Sequence, residues 1–216
     1  LGVRDFIIDL RYNGGGLLSV AELLNNLLGG ARAASDVQYR LVHNARKTAE
    51  NETELFSPKP QSVQPVRVAF VTTGATASAS EINVNAMAPW LEVAIVGEDT
   101  LGKPVGQYAF DLQGCEDRLR LVSFKTVNAL GQGDYYDGLA STMKFACAAS
   151  DTIAEPLGSP NEGMVAAALA WLSTGACTQV MVTRTARAKT SRFDATDPYP
   201  LPGQPTPAQW WLPGVN

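Results

Sequence analysis

Short apolar runs that alternate with glycine- or proline-bounded segments of helical spacing constrain this chain more than any other feature. "VRDFIIDLRYN" is an apolar run ending in polar residues, and "GGGLLSVAELLNNLLGG" follows with leucines and valine at helical spacing between glycines. The pair reads as strand, glycine turn, helix. "VRVAFVTT" is a second short buried strand, "SASEINVNAMAPW" a second helix ending at Pro89, and "EVAIVGED" a third strand. "GQYAFDLQ" and "LRLVSFKTVNA" read as an antiparallel pair, and "NEGMVAAALAWLSTG" as a late helix stopped by glycine. Strand and helix in alternation predict an α/β fold: a mostly parallel sheet flanked by helices, with antiparallel additions.

The 216 residues suit one good-sized domain with a tail. The domain is expected over residues 1–183. From residue 184 the chain turns proline-rich ("DPYPLPGQPTPAQWWLPG"), a composition that forbids helix and central strand. That tail, 184–216, is expected to run extended along the body with Trp210 and Trp211 packed on it. A net charge of −4 supplies no electrostatic reason to expect nucleic acid as a partner. The chain begins at Leu1, already close to a buried strand, and reads as a piece of a longer protein.

"TASASE", residues 76–81, places two serines and an acid among small residues where a strand gives way to a helix. A serine nucleophile needs a base. The one histidine, His43, sits in "VHNARKTAENE", which reads as an exposed polar loop, so a serine–histidine–acid triad is not expected. A carboxylate, an N-terminal amine or a lysine remains. Lys103 stands out because "GEDTLGKPVGQ" follows a buried strand and encloses it with glycines, proline and apolar residues. A lysine held away from water loses its proton more readily, since desolvation penalises the ammonium form. Glu98 and Asp99 are then expected to point away from it. "NGGG" lacks both the dinucleotide and the P-loop spacing. Its backbone N–H groups could instead form a tight turn, cradle an anion, or wait for the charge of a tetrahedral intermediate.

"DLRYNGGG", "TASASEI" and "GEDTLGKPVGQ", in that order, resemble the three signature segments of the tail-specific, or carboxyl-terminal processing, serine proteases. The resemblance covers roughly residues 1–175. It implies that Ser78 is the nucleophile, Lys103 the general base 25 residues on (103 minus 78) and Gln107 the residue that holds the lysine. Backbone N–H groups of Ala79 and Gly16, with Gly15 as alternative, become the expected oxyanion site. Glu81 is expected to give structural support from the first helical turn, Ser80 to cap or pack, and Asp9 and Arg11 to anchor the strand end. Pro89 stands where many members have a polar residue, and Pro104 where they have glycine. The resemblance further implies a spiral core of the crotonase or ClpP kind and hydrolysis near unstructured C-terminal tails of protein substrates, without metal or cofactor. In the parent protein it implies a PDZ domain and an N-terminal core segment, and a periplasmic or membrane-anchored location facing the periplasm. A competing reading is a protease-like module that binds peptides or small ligands without cleaving them.

Three cysteines lie too far apart for a paired-cysteine zinc site. They are either free thiols or one disulfide with a thiol left over. Cys115 and Cys147, which flank the second strand of the antiparallel pair, are the expected bridge, leaving Cys177 free.

Overall fold

A computed structural model describes residues 2–180, so the tail expected from residue 184 lies outside the described residues. The elements run β1 (Asp5–Asp9), α1 (Leu18–Leu28), β2 (Val37–His43), β3 (Glu52–Leu55), β4 (Arg67–Thr72), α2 (Ala79–Met87), β5 (Glu92–Gly97), β6 (Val105–Asp111), β7 (Arg118–Asn128), β8 (Phe145–Ala148) and α3 (Gly163–Thr174). One four-stranded sheet has the order β1-β4-β5-β8 and is parallel throughout, with Phe6 opposite Val68, Val68 opposite Val93 and Ala94 opposite Phe145. A second has the order β3-β2-β7-β6 and is antiparallel throughout. The antiparallel part is therefore a full second sheet and not an addition to the first.

Central strands β4 ("RVAFVT") and β5 ("EVAIVG") are buried beyond their first residues, as expected of parallel strands covered on both faces. On one face Val68, Phe70, Val93 and Ile95 pack with Leu28 of α1 and with Val84 and Met87 of α2. On the other, Ala69, Ala94 and Val96 meet Ala168, Trp171 and Leu172 of α3. The two alanines leave room for the indole of Trp171, which is fully buried.

Helix α2 also reaches the second sheet, where Ile82 packs with Tyr39, Leu41 and Phe124. All nine of its residues are buried, so it shows no polar face. Its asparagines are satisfied internally: Asn83 Nδ2 donates to the Ala21 carbonyl at 2.8 Å, and Asn85 Nδ2 to the Gln132 carbonyl at 2.9 Å. The helix that begins beside Ser78 is thus held between two sheets, which fixes its N-terminus firmly.

His43 is not in an exposed loop. It ends β2, is 8% exposed, stacks on Tyr108 with ring centroids 5.8 Å apart, and pairs through Nε2 with the Tyr108 hydroxyl at 3.1 Å. The polar residues of β2 hide its strand character. Gln38, for example, is fully buried and bonds Asn25 and Asn26 of α1.

Nor does the bridge join Cys115 to Cys147. Cys147 pairs with Cys177, their Cα atoms 5.4 Å apart, and Cys115 is an exposed free thiol. Cys147 lies in β8 under α3, with Cys177 packed against the same cluster. After Gly175 ends α3 in a left-handed turn, the chain returns alongside β8, where Gln179 pairs with Cys147 in antiparallel sense. Sequence distance favours neither pairing, so the packing of α3 on β8 decides it. Thiol counting on the denatured, unreduced protein is expected to find Cys115 alone reactive. Cys177→Ser is expected to cost roughly 3–4 kcal/mol for opening a loop of this length.

Candidate active site

Strands β1, β4 and β5 run parallel, so their C-terminal ends bring the three motif segments to one edge of the sheet, where α/β folds place their sites. Thr76 joins them. Its Oγ1 donates to the Leu10 carbonyl at 2.8 Å and accepts from Thr73 N–H at 3.0 Å, and its carbonyl accepts from Leu101 N–H at 2.9 Å.

Ser78 stands at the tip of this turn, immediately before α2, and is half-buried. Its φ of 56° and ψ of −119° lie in a region that residues with a side chain seldom occupy. Such a conformation costs about 1–3 kcal/mol and persists only where the surroundings impose it. Here the surroundings are Glu81 and the glycine turn.

Glu81 is fully buried and accepts four hydrogen bonds. Oε2 takes the N–H of Ser78 at 2.8 Å and of Lys103 at 2.9 Å. Oε1 takes the Thr100 hydroxyl at 2.6 Å and Gly102 N–H at 2.8 Å. A single carboxylate thereby ties the backbone of Ser78 to that of Lys103. Thr100 in turn accepts from Leu139 N–H at 3.0 Å, which holds the lysine loop from behind.

Gly15, with φ of 97°, rests directly on the serine turn. A Cβ there would lie 2.8 Å from Ser78 Cβ and from Ala79 N, and 2.7 Å from the Ala77 carbonyl oxygen. Its N–H donates to Asn13 Oδ1 at 3.0 Å, and Asn13 O accepts from Ala77 N–H at 3.1 Å. The N–H groups of Gly16 and Ala79 have no acceptor among the described residues. Of the three backbone groups expected at an oxyanion site, Gly15 N–H is thus taken by Asn13, whereas those of Gly16 and Ala79 are unengaged among the described residues. Gly15→Ala is expected to destabilise the domain by about 1–3 kcal/mol, since the added Cβ forces the serine turn to shift on a backbone of positive φ. A thermal melt beside the wild type would check it.

Lys103 is half-buried, and its Nζ forms no hydrogen bond or ion pair among the described residues. Glu98 and Asp99 do not pair with it. Asp99 Oδ1 accepts the N–H groups of Thr100 and Ala140, both at 2.8 Å, and burial raises its pKa above the usual range despite those bonds. Pro104, the departure from glycine, is buried, and its carbonyl accepts from Thr126 N–H at 2.8 Å. Gln107 is exposed on β6 at a register shift, and no hydrogen bond joins it to Lys103. Pro89 follows the far end of α2, a helix length of about 14 Å from Ser78. It does not border the serine.

Arg11 does more than anchor a strand end. Its side chain is 7% exposed and meets Asp9 at 2.8 Å, Asp151 at 2.9 Å and Glu162 at 3.3 Å. Burial alone would raise the pKa of Asp9, but Arg11 outweighs it and holds the carboxyl below its ordinary value. Thr76, Thr100, Asn13 and Asp151 were not singled out from sequence. Hydroxyls beside a turn were the available signal for the threonines. Asp151, 140 residues from Arg11, had none.

Residues 1–138 match Peptidase family S41. The chain is 29% identical over 144 residues to the carboxy-terminal processing protease CtpA of Bacillus subtilis (strain 168), a match that covers 66% of this chain and 29% of that protein. It superposes with a TM-score of 0.69 and 29% identity on the crystal structure of a Bacteroides fragilis NCTC 9343 protein assigned to the S41 proteases, over 81% of this chain and 46% of that one. The photosystem II D1 C-terminal processing protease shares the fold, with a TM-score of 0.53 at 20% identity over 68% of this chain and 35% of that one. The chain thus spans less than half the length of these relatives. Two four-stranded sheets around a buried helix, with a serine of strained backbone at the helix start, make this a mixed α/β protein. The chain belongs to Peptidase family S41.

Proposed function

We propose that this chain carries the catalytic residues of a carboxyl-terminal processing peptidase, with Ser78 as nucleophile and Lys103 as general base. The observation that carries the reading is the Glu81 clamp, which holds the backbone N–H groups of Ser78 and Lys103 on one carboxylate oxygen. Ser78 Oγ attacks the scissile carbonyl while its proton passes to the neutral Lys103 amine. The oxyanion that forms is met by the N–H groups of Gly16 and Ala79. Collapse breaks the C–N bond, and the leaving amine takes the proton from Lys103. Water then attacks the acyl ester, gives its proton to Lys103, and Ser78 departs as the protonated hydroxyl.

In this reading a side-chain rotation brings Lys103 Nζ to Ser78 Oγ, and Gln107 comes to hold the amine once substrate lies along the site. A spiral core of the crotonase or ClpP kind, unstructured C-terminal tails as substrates, and a PDZ domain and N-terminal core segment in the parent belong to the same proposal. So does an exported location facing the periplasm, to which the Cys147–Cys177 bridge is suited, because disulfides persist in oxidising compartments.

The test uses the intact parent protein with a fluorophosphonate probe and a substrate ending in an unstructured tail. Labelling mapped to Ser78, together with shortened product, is the expected result. A parent that binds the tail but neither labels nor cleaves would favour the peptide-binding module instead.

A further inference from the structure

We propose that Asp151 is a positioning residue for the oxyanion turn and acts through Tyr12 and Arg11; the inference rests on the peptidase reading above. Gly14, Gly15 and Gly16 have no side chains, so beyond the contact of Gly15 with the serine turn they take their position from their flanks. On one flank α1 begins two residues later. On the other stands Tyr12, whose φ of 62° places an aromatic residue in the left-handed region. A bulky side chain stays there only when its surroundings compel it.

The turn bond from Asn13 N–H to the Leu10 carbonyl at 3.1 Å holds the backbone of Tyr12, and Asp151 holds its side chain. The Tyr12 hydroxyl donates to Asp151 Oδ2, and Arg11 Nη1 donates to Oδ1 of the same carboxylate at 2.9 Å. Tyr12 N–H also reaches Thr73 Oγ1 at 3.4 Å. Arg11 is fixed on its other side by Glu162, which caps α3 by accepting the N–H groups of Met164 and Val165. The carboxylate of Asp151 thus links the two side chains that precede the turn to the segment between β8 and α3. From Tyr12 the restraint passes through one residue, Asn13, whose side chain and carbonyl hold Gly15 and Ala77. A shift at Tyr12 therefore reaches the glycine turn through Asn13, and an oxyanion donor is effective only within a narrow distance range.

The experiment compares the intact parent with its Asp151→Asn, Tyr12→Phe and double variants. Asp151→Asn is expected to lower kcat about 10- to 100-fold with KM within about twofold, the pattern of an interaction realised only in the transition state. The Ki of a substrate-like peptide aldehyde, whose hemiacetal oxygen occupies the oxyanion site, should rise by the same factor, and the double variant should add little. A general structural role would instead lower the melting temperature and move KM and tail binding. Amide hydrogen exchange of residues 13–17 is read in the same proteins and needs no activity. Faster exchange confined to that segment in Asp151→Asn supports the proposal even if the parent proves inert, an outcome that would overturn only the peptidase reading. Parental kcat in Asp151→Asn, or unchanged exchange at 13–17, overturns the proposal.

Discussion

Lys103→Arg is expected to abolish turnover in the parent protein while leaving its fold unchanged. A general base contributes about 10²–10⁴-fold to rate, and a guanidinium stays protonated at any working pH, so the whole contribution is lost. The fold should survive because Lys103 is attached through its backbone: its N–H meets Glu81, and its side chain makes no hydrogen bond or ion pair among the described residues. The measurement is kcat/KM of the intact parent beside a thermal melt. Ser78→Ala should match it in activity and in melting. A Lys103→Arg enzyme within about tenfold of the parent would end the assignment of Lys103 as base, since no other part of that residue differs in acid–base chemistry.

Removal of Glu81 should have the largest effect on stability. Glu81→Ala leaves the N–H groups of Ser78, Gly102 and Lys103 and the hydroxyl of Thr100 without their acceptor in a site with little access to water. Hydrogen bonds to a charged group contribute about 1.5–3 kcal/mol each and are not additive, so a net loss of about 3–5 kcal/mol is expected. For a domain of this size that lowers the melting temperature by roughly 10–15 °C. Glu81→Gln tests the chemistry more finely. The four donors require acceptors on both oxygens, and a glutamine must turn its NH₂ toward two of them. Whichever pair it faces, either Ser78 and Lys103 or Thr100 and Gly102 is opposed by a donor. Gln is therefore expected to lose most of the probe labelling while melting between the wild type and Ala. A Glu81→Ala protein that melts within about 2 °C of wild type would show that the clamp contributes no stability.

What was legible in the sequence was what neighbouring residues decide among themselves. The apolar runs over β1, β4, β5, β6 and β7 and the helical spacing of α1 and α3 report local periodicity, and each element lies where that periodicity put it. The grouping of "DLRYNGGG", "TASASE" and "GEDTLGK" at one edge follows from parallel strands, because chain direction and strand order suffice to bring their ends together. β2 was missed because its polar residues are satisfied by partners on α1, so alternation of apolar and polar residues no longer tracks burial. His43 was misplaced for the same reason.

By itself the sequence determined the class of fold, the three segments of the site and the family, since each depends on residue type at short range. Only the tertiary structure decided which cysteine Cys147 takes, that Glu81 bonds both Ser78 and Lys103, and that Asp151 reaches the side chains before the glycine turn. Those contacts join residues 22 to 140 positions apart, with the serine bond to Glu81 the local exception. Over such separations the sequence sets no distance. Distance is set by packing α2 between two sheets and α3 against β8, through burial energies that belong to surfaces assembled from the whole chain and not to any stretch of it.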